Sequence, residues 1–174
     1  KCWWCGNEAN SREHRHKKSD LMRVFGNEFL NKDVLQIKDK EKEHIPQGPN
    51  SNLFKFEKVL CHSCNTAKSQ RFDLAYDQFI KEVEINRDYI IENKEIDFSK
   101  IFPENTLEQK LNVLRYYVKH ICCRLATNNI SIDPMIIDFL NGNKKLVYLY
   151  IKFEIRMDLV AWIKRLRLKS QHDL

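Results

Sequence analysis

Apolar residues recur at helical spacing over two long stretches of the chain. The first stretch follows Cys64, and its apolar stripe has intervals of three and four residues: Phe72, Tyr76, Phe79, Ile80 and Val83. The second begins at Thr106, which together with Gln109 has the spacing of a helix-capping box. Its expected buried face consists of Leu111, Leu114, Tyr117, Val118, Ile121, Cys122 and Leu125. Both stretches therefore predict amphipathic helices.

Shorter elements are predicted on either side of these helices. Residues 54–60 alternate imperfectly between apolar and polar side chains and predict a strand. Asp133 before Pro134 predicts the start of a short helix, and Gly142 predicts its end. Residues 146–157 fit both a strand of period two and a helix that is apolar almost all round, so the pattern leaves both structures open.

Four of the six cysteines form two Cys-x-x-Cys pairs, Cys2 with Cys5 and Cys61 with Cys64. Each pair can supply two thiolate ligands within one turn of chain, and Zn²⁺ prefers a tetrahedron of four such ligands. Neither pair lies in a thioredoxin-like βαβ pattern, which argues against a redox role. The pairs therefore predict one closed, structural zinc site, whereas the adjacent Cys122 and Cys123 are expected to be small core residues.

Composition gives only weak information about the partners and the cellular compartment of the protein. The 174 residues carry a formal net charge of +6, which fits a nucleic-acid partner, but many basic proteins bind no nucleic acid. No apolar run of about 20 residues is present to span a membrane, and the first residues lack the pattern of a signal peptide. Together with the paired cysteines, these features predict a reduced, cytoplasmic setting.

A Glu13-His14 dipeptide lies between the two cysteine pairs, and Asn65 directly follows the second pair. In this combination, roughly residues 1–80 resemble the zinc-stabilised branch of the HNH (ββα-metal) endonucleases. That family places an acidic residue beside a catalytic His on a hairpin, and a His or Asn on the helix after the last Cys. A Glu-His dipeptide alone would be a weak motif, but its position between two Cys-x-x-Cys pairs makes the combination specific.

The resemblance implies a role for each matching residue. Glu13 and Asn65 correspond to the two protein oxygen ligands of one catalytic Mg²⁺ or Mn²⁺ ion, and His14 corresponds to the general base that activates the attacking water. A hard ion held by only two protein oxygens keeps positions for water and phosphate, and a His with a pKa of about 6.5 suits a base at neutral pH. DNA is the implied substrate. Its phosphates are expected to contact Arg12, Arg15, Lys17 and Lys68.

The chain departs from the family pattern at two places. Phe56 stands five residues before Cys61, where the family has the middle Asn that orients the base. Asn50, Asn52 or a group elsewhere is expected to replace it. The dipeptide is also followed by Arg15 and His16, where the family commonly has an apolar residue and Pro. These departures concern the detail of the hairpin and leave the three matching residues unchanged.

Together these features predict an α+β fold with two parts. Residues 1–95 are expected to form an HNH nuclease module with a four-cysteine zinc site, and residues 96–174 a mostly helical carboxy-terminal region. The alternative function is a non-catalytic zinc module that binds nucleic acid or a protein partner. The nuclease hypothesis is favoured because a pure binding module has no need of Glu13, His14 and Asn65 together.

The carboxy-terminal region leaves several interpretations open. Its helices fit a homodimer interface or a contact with a regulatory protein, with Tyr148 and Trp162 as anchors, but core packing explains these residues equally well. A basic helix is predicted through Trp162 to Leu168. Its segment 164–169 either extends a DNA footprint or forms a solvated helix face.

Overall fold

The computed structural model describes residues 1–25, 37–39, 42–44, 48–145 and 149–158. The helices and strands in these ranges are, in chain order, β1 (Ser11–His14), α1 (Lys18–Phe25), β2 (Ile37–Asp39), β3 (Lys42–His44), β4 (Lys55–Leu60), α2 (His62–Asn65), α3 (Gln70–Ile85), α4 (Arg87–Asn93), α5 (Phe98–Ile101), α6 (Thr106–Thr127) and α7 (Pro134–Asn141). A 3-10 turn, Asn52–Phe54, leads directly into β4. The described chain is therefore mixed and mostly helical, with short antiparallel strand pairs.

The strands form two separate antiparallel pairs in the described part of the chain, β1 with β4 and β2 with β3. Phe56 and Leu60 of β4 are buried, as the imperfect alternation predicts, and Phe54 is buried just before the strand begins. The register of β1 against β4 shifts on both sides of Arg12. Such irregularities bend a strand and change the direction of its side chains.

The two predicted long helices are present. α3 buries the stripe residues Phe72, Tyr76 and Phe79, which confirms that prediction. The predicted capping box of α6 is wrong, because Thr106 is the first helical residue and the helix has no side-chain cap. The Thr106 hydroxyl donates instead to the carbonyl of Phe102, at 2.6 Å.

The buried face of α6 differs from the predicted stripe. Ile121 is 37% exposed, whereas Arg115 and Lys119 are fully buried. The reason is that α6 packs against α3, β4 and α7 at once, so a wide sector of the helix is covered. Charged residues in that sector stay buried because polar groups on neighbouring elements satisfy them. Cys122 and Cys123 are core residues, as predicted.

Arg115 joins α6 to α7. Its Nε donates to the carbonyl of Phe139 at 3.0 Å, and its Nη2 donates to the carbonyl of Asn143 at 3.3 Å. Its Nη1 donates to Glu108 Oε1 at 2.7 Å and to Asn112 Oδ1 at 2.9 Å. Because most of its donors have partners, the buried guanidinium holds α7 against α6 without leaving an unpaired charge in the interior.

α7 begins and ends where the sequence predicts. The backbone N–H of Met135 donates to the Asp133 side chain at 2.8 Å, and Pro134 is the first helical residue. Gly142 follows the last helical residue with a φ of +126°, a conformation that favours glycine. The local signals for this helix were therefore sufficient.

Both structures predicted for residues 146–157 are wrong for residues 149–156, which are neither helix nor strand. Tertiary contacts hold this segment instead. The ring centroid of Phe153 lies 5.3 Å from that of Phe79 and 5.6 Å from that of Tyr117. The predicted basic helix, the segment 164–169 and the proposed anchors Tyr148 and Trp162 all lie outside the described residues.

Residues on both sides of position 95 share one core. The ring of Trp4 stacks on Phe72 with centroids 6.0 Å apart, and Tyr76 stacks on Tyr116 of α6 at 3.8 Å. These residues belong to the same buried cluster as Phe139. The division of the chain at residue 95 stays a prediction. No helix in the described ranges is long and apolar enough to cross a membrane.

Candidate functional site

The cysteines of the two Cys-x-x-Cys pairs come together in space. The sulfur atoms of Cys2, Cys5, Cys61 and Cys64 all lie within 4.8 Å of one another, and those of Cys5 and Cys61 are 3.6 Å apart. A tetrahedral Zn²⁺ with Zn–S bonds of about 2.3 Å separates its sulfurs by about 3.8 Å. The sulfur atoms of this four-cysteine cluster are therefore close enough together to bind one metal ion such as Zn²⁺.

Local backbone structure shapes each half of the four-cysteine cluster. The Gly6 N–H donates to the Cys2 carbonyl at 2.9 Å, in a tight turn where Gly6 has a φ of +79° that favours glycine. Cys61 is the N-cap of α2, and the backbone N–H of Cys64 donates to its sulfur at 3.5 Å. That hydrogen bond is the main cause that lowers the pKa of Cys61 to about 7, which favours its thiolate, whereas burial raises the pKa of Cys64.

The three residues that match the HNH pattern line one polar cavity of about 480 Å³. Its described wall consists of Glu13, His14, Lys17, Lys18, Ser19, Met22, Asn65, Asp73 and Asp77. Adjacent side chains of a regular strand point to opposite faces, yet Glu13 and His14 both line this cavity. The register shift of β1 between Arg12 and His14 accounts for the difference.

Asn65 has a fixed amide and an unsatisfied oxygen. Its Nδ2 donates to Ser11 Oγ at 2.9 Å and to the carbonyl of Arg12 at 3.3 Å, and these bonds define the orientation of the amide. Its Oδ1 is buried without a hydrogen-bond partner among the described residues. A buried acceptor without a partner costs free energy unless a ligand, a water or an ion satisfies it. The oxygen of Asn65 is therefore suited to bind a cation.

His14 is half-buried, and its Nε2 has no hydrogen-bond partner among the described residues. Burial, and after it the charge of Lys55, lowers the pKa of His14 below its ordinary value. The imidazole is therefore neutral at neutral pH, and a neutral imidazole keeps one nitrogen as an acceptor. Such a nitrogen in a polar cavity can take a proton from water.

Glu13 forms an ion pair that the sequence pattern did not indicate. Its Oε2 lies 2.8 Å from the Nζ of Lys119, a fully buried side chain of α6. Its Oε1 accepts the backbone N–H of His14 at 3.1 Å. A carboxylate offers about four lone-pair directions. These two donors therefore leave Glu13 with the capacity to bind a further partner.

Lys119 is shared between two carboxylates. Besides Glu13, its Nζ lies 3.6 Å from Asp73 Oδ2 and 3.3 Å from the Oγ of Ser69. Burial alone would lower the pKa of Lys119, but the charges of Glu13 and Asp73 together raise it. Lys119 therefore remains a cation inside the fold.

His120, also on α6, approaches the same carboxylate. Its Nε2 lies 3.8 Å from Glu13 Oε1, but burial lowers the pKa of His120 to about 4. At neutral pH the contact therefore joins a neutral imidazole to a carboxylate and is not an ion pair. Sequence reasoning missed both Lys119 and His120. In the sequence these two residues form a Lys-His dipeptide within the apolar pattern of one helix. That pattern does not indicate which distant part of the chain packs against the dipeptide.

Two of the basic residues predicted to bind phosphate are paired within the protein. The Nζ of Lys17 lies 2.8 Å from Asp77 Oδ2 and donates to the carbonyl of Asp73 at 3.0 Å. The Nη2 of Arg12 lies 3.2 Å from the carboxylate of Glu57. Both positive charges are therefore partly neutralised.

The other two predicted phosphate-binding residues remain exposed and rest on aromatic rings. The guanidinium carbon of Arg15 lies 5.4 Å from the ring centroid of Phe56, and the Nζ of Lys68 lies 4.5 Å from that of Trp4. A cation–π contact positions the cation without neutralising it. Arg15 and Lys68 therefore keep charge for a ligand.

Neither Asn50 nor Asn52 is found in place of the middle Asn of the HNH pattern, and a group elsewhere stays a prediction. Asn50 and Asn52 are exposed, and neither forms a hydrogen bond with His14 in the described part of the chain. Phe56, which stands at that position, is buried and packs edge-on against His120 with ring centroids 6.1 Å apart. Orientation of His14 by Asn50 or Asn52 is therefore not supported.

We expect one Zn²⁺ per chain, bound by the four-cysteine cluster. Cys64→Ala should lose the metal and much of the fold, because structural zinc contributes on the order of 10 kcal/mol of binding free energy to folding. Cys122→Ala is the matched control, since this buried thiol lies outside the cluster, and it should keep the metal. Elemental analysis and circular dichroism measure both outcomes. A fully folded protein without zinc would contradict the prediction.

Lys119→Met should destabilise the protein by about 3–5 kcal/mol, because Glu13 and Asp73 would lose their buried cation. Burial already raises the pKa of Asp73, and Lys119 opposes that rise. A carboxyl with a raised pKa in the folded state destabilises the fold while it is ionised and ceases to do so once protonated. The loss of stability should therefore be larger at neutral than at mildly acidic pH, as urea unfolding would measure.

The double variant Lys119→Met/Asp73→Asn tests this cause. Removing Asp73, one of the two carboxylates that lose the charge of Lys119, should restore part of the lost stability, because the two residues interact directly. Lys110→Met, which removes an exposed lysine of the same helix, is the control and should change little. Equal losses at both pH values, without recovery in the double variant, would refute the electrostatic explanation.

No family model matches the chain, and neither a curated protein nor a solved structure does so. Function is therefore inferred from the chemistry of the described residues. The relevant features are the four-cysteine cluster, the cavity that contains Glu13, His14 and Asn65, and the buried cation Lys119.

Proposed function

We propose that this protein is a metal-dependent endonuclease of the HNH type that hydrolyses phosphodiester bonds in DNA. The observation that carries the proposal is a pair of buried polar atoms, Asn65 Oδ1 and His14 Nε2, which have no hydrogen-bond partner among the described residues. Both residues line one cavity with Glu13. Trp3 Nε1 and His120 Nε2 are also buried without a hydrogen-bond partner in the described part of the chain, but only the atoms of Asn65 and His14 belong to residues that line this cavity. A module that binds zinc for stability alone has no use for two such atoms in one cavity, because each costs free energy while unsatisfied. A divalent ion and a water molecule would satisfy them.

The surrounding elements support this proposal. β1 and β4 form an antiparallel pair, and α2 and α3 follow β4 directly. This agrees with a strand pair followed by a helix, as in a ββα-metal module, although α1, β2 and β3 lie between the two strands in the chain. The four-cysteine cluster ties the start of the described chain to the end of β4. Zn²⁺ in a closed site of four thiolates stabilises structure and leaves no position for substrate. The chemistry is therefore assigned to the neighbouring cavity.

Each matching residue has its own task in the proposed reaction. Glu13 and Asn65 would hold Mg²⁺ or Mn²⁺ through their side-chain oxygens, and the ion would supply positive charge to stabilise the phosphate and the leaving oxygen. His14 in its neutral form accepts the proton of the water that attacks phosphorus, while the bond from phosphorus to the leaving oxygen breaks. Lys119 holds the Glu13 carboxylate in position.

The four basic residues expected to contact phosphate differ in how available their positive charge is. Arg15 and Lys68 are exposed and keep their charge, so they are the stronger candidates for contact with the DNA backbone. Arg12 is joined to Glu57 by an exposed pair of the kind that contributes little and opens readily. Lys17 is less available, because two aspartates surround it.

His14→Ala should abolish cleavage of plasmid DNA and leave zinc content, folding and DNA binding nearly intact. It removes the base, whose assistance is worth roughly a hundred- to ten-thousand-fold in rate. Asn65→Ala should also abolish cleavage, because one of the two protein oxygens that hold the catalytic ion is lost. Higher Mn²⁺ should partly restore cleavage by Asn65→Ala and do little for His14→Ala. Plasmid-nicking assays with Mg²⁺, Mn²⁺ or chelator measure these differences.

His62→Ala is the matched control, because His62 is an exposed histidine of α2 outside the cavity. This variant should cleave at the wild-type rate. Wild-type cleavage by His14→Ala would exclude the HNH assignment even with the zinc confirmed. A wild-type protein that cuts neither plasmid nor branched DNA with either metal would favour the non-catalytic zinc module instead.

The pH dependence of cleavage should reflect His14. The residue must be neutral to act as a base, so the rate falls as the pH drops through its pKa, which burial lowers. The acid limb of kcat/KM should therefore lie below about 6.5, the ordinary pKa of histidine. Lys55→Gln removes a charge that helps to lower this pKa and should move the limb to higher pH. A limb that stays in place or moves to lower pH would contradict the role given to His14.

A further inference from the structure

A second concave region, of about 500 Å³, lies beside the candidate site. Arg15, parts of α6 and β4, and residues 150–152 form this groove, and its described wall shares no residue with the cavity of Glu13, His14 and Asn65. The two are nevertheless close. His120 lines the groove and comes within 3.8 Å of Glu13.

The charged side chains in the described wall of the groove are all basic. Three cations line it, Arg15, Arg124 and Lys152, and no Asp or Glu is among the described residues of its wall. Neither arginine forms an ion pair within the described part of the chain, and both are exposed. Lys152 pairs with Glu154, but the two side chains are 81% and 58% exposed, and such a pair contributes little. Positive charge is therefore available to an anionic ligand.

Aromatic rings line the groove together with these cations. Phe56 is buried at the base of the groove, beneath the guanidinium of Arg15. Tyr150 lines the same groove and is 92% exposed. A tyrosine ring held in water gains nothing from packing, and a ligand with a flat face would cover it. The lining therefore combines groups for a phosphate with a platform for a base.

We propose that this groove binds an unpaired nucleotide of the substrate, with the phosphate on Arg124 and Arg15 and the base stacked on Tyr150. Proteins hold single strands through basic side chains along the backbone and aromatic rings that stack the bases. A base inside a duplex does not offer its face to a tyrosine. Duplex DNA is read instead by helices or strands that project into its grooves, whereas this surface is concave.

The inference rests on the proposed nuclease function and narrows its substrate. Arg15 directly follows His14 in the chain, so one strand can contact the groove and the cavity together. A nucleotide on Tyr150 would then guide a neighbouring phosphodiester towards His14. The expected substrate is single-stranded DNA, or a flap or branched junction with an unpaired nucleotide, in preference to continuous duplex.

Fluorescence anisotropy with a labelled oligothymidine tests the proposal, using the full chain without added Mg²⁺ or Mn²⁺ so that the probe stays intact. Tyr150→Ala should weaken binding by about tenfold, the scale of one stacked base. Arg124→Gln should lower the slope of log affinity against log salt by about 0.7, the effect of one phosphate contact on a single strand. Both side chains are exposed, so thermal unfolding should be unchanged.

Tyr89→Ala and Lys81→Gln are matched controls, because both side chains are exposed on helices outside the groove. They should bind oligothymidine as the wild type does. Unchanged binding by both groove variants would overturn the proposal, and so would a wild-type protein that does not bind oligothymidine. If both groove variants lost as much affinity for a blunt duplex as for oligothymidine, the proposal would also be overturned. The groove would then contact the backbone of duplex DNA and would not select an unpaired nucleotide.

The same experiments separate this proposal from the nuclease assignment. Cleavage that depends on His14, together with unchanged binding by Tyr150→Ala and Arg124→Gln, would reject the groove alone. Single-strand binding that depends on Tyr150, in a protein that cuts no DNA, would reject the nuclease alone and retain the groove.

Discussion

The four-cysteine cluster joins segments of the chain that are 56 residues apart. Bringing such distant segments together costs conformational entropy, and a metal shared by four thiolates would offset that cost. Once the two cysteine pairs meet, β1 lies beside β4, and α2 places Asn65 next to the backbone of Arg12. Glu13, His14 and Asn65 then line one cavity, although no thiol is among its described wall residues. The chemistry proposed for the cavity therefore depends on a site that takes no part in it.

A second constraint is the buried charge of Lys119. Its pairing with Glu13 and Asp73 satisfies three ionised groups in a region where each alone would be costly. The pairing also makes α6 part of the site. His120, the next residue on that helix, contacts Glu13 on one side and lines the groove on the other. The helix therefore links the position of the proposed metal ligand to the surface proposed to bind the strand.

The proposed activity divides its tasks among three neighbouring regions. In this proposal the four-cysteine cluster stabilises the fold, and the polar cavity contains the general base His14 and the oxygen ligands. The groove would bind an unpaired nucleotide. Each region would use a different chemistry: thiolates for a borderline-soft ion, oxygens for the proposed hard ion, and arginine with tyrosine for the proposed nucleotide. Because these chemistries do not compete for the same ligands, the regions can lie side by side in a small protein.

Local patterns were enough to identify the cysteine pairs, α3, β4 and α7, because each depends on residues a few positions apart. The Cys-x-x-Cys spacing, the apolar periodicity and the Asp133-Pro134 start of α7 all act over one or two turns of chain. Other features were decided only by tertiary structure. The burial of Lys119 depends on carboxylates from β1 and α3, and the course of residues 149–156 depends on rings of α3 and α6. The apolar periodicity of a sequence gives no information about such partners. It describes a single helix or strand and not the surface against which that element packs.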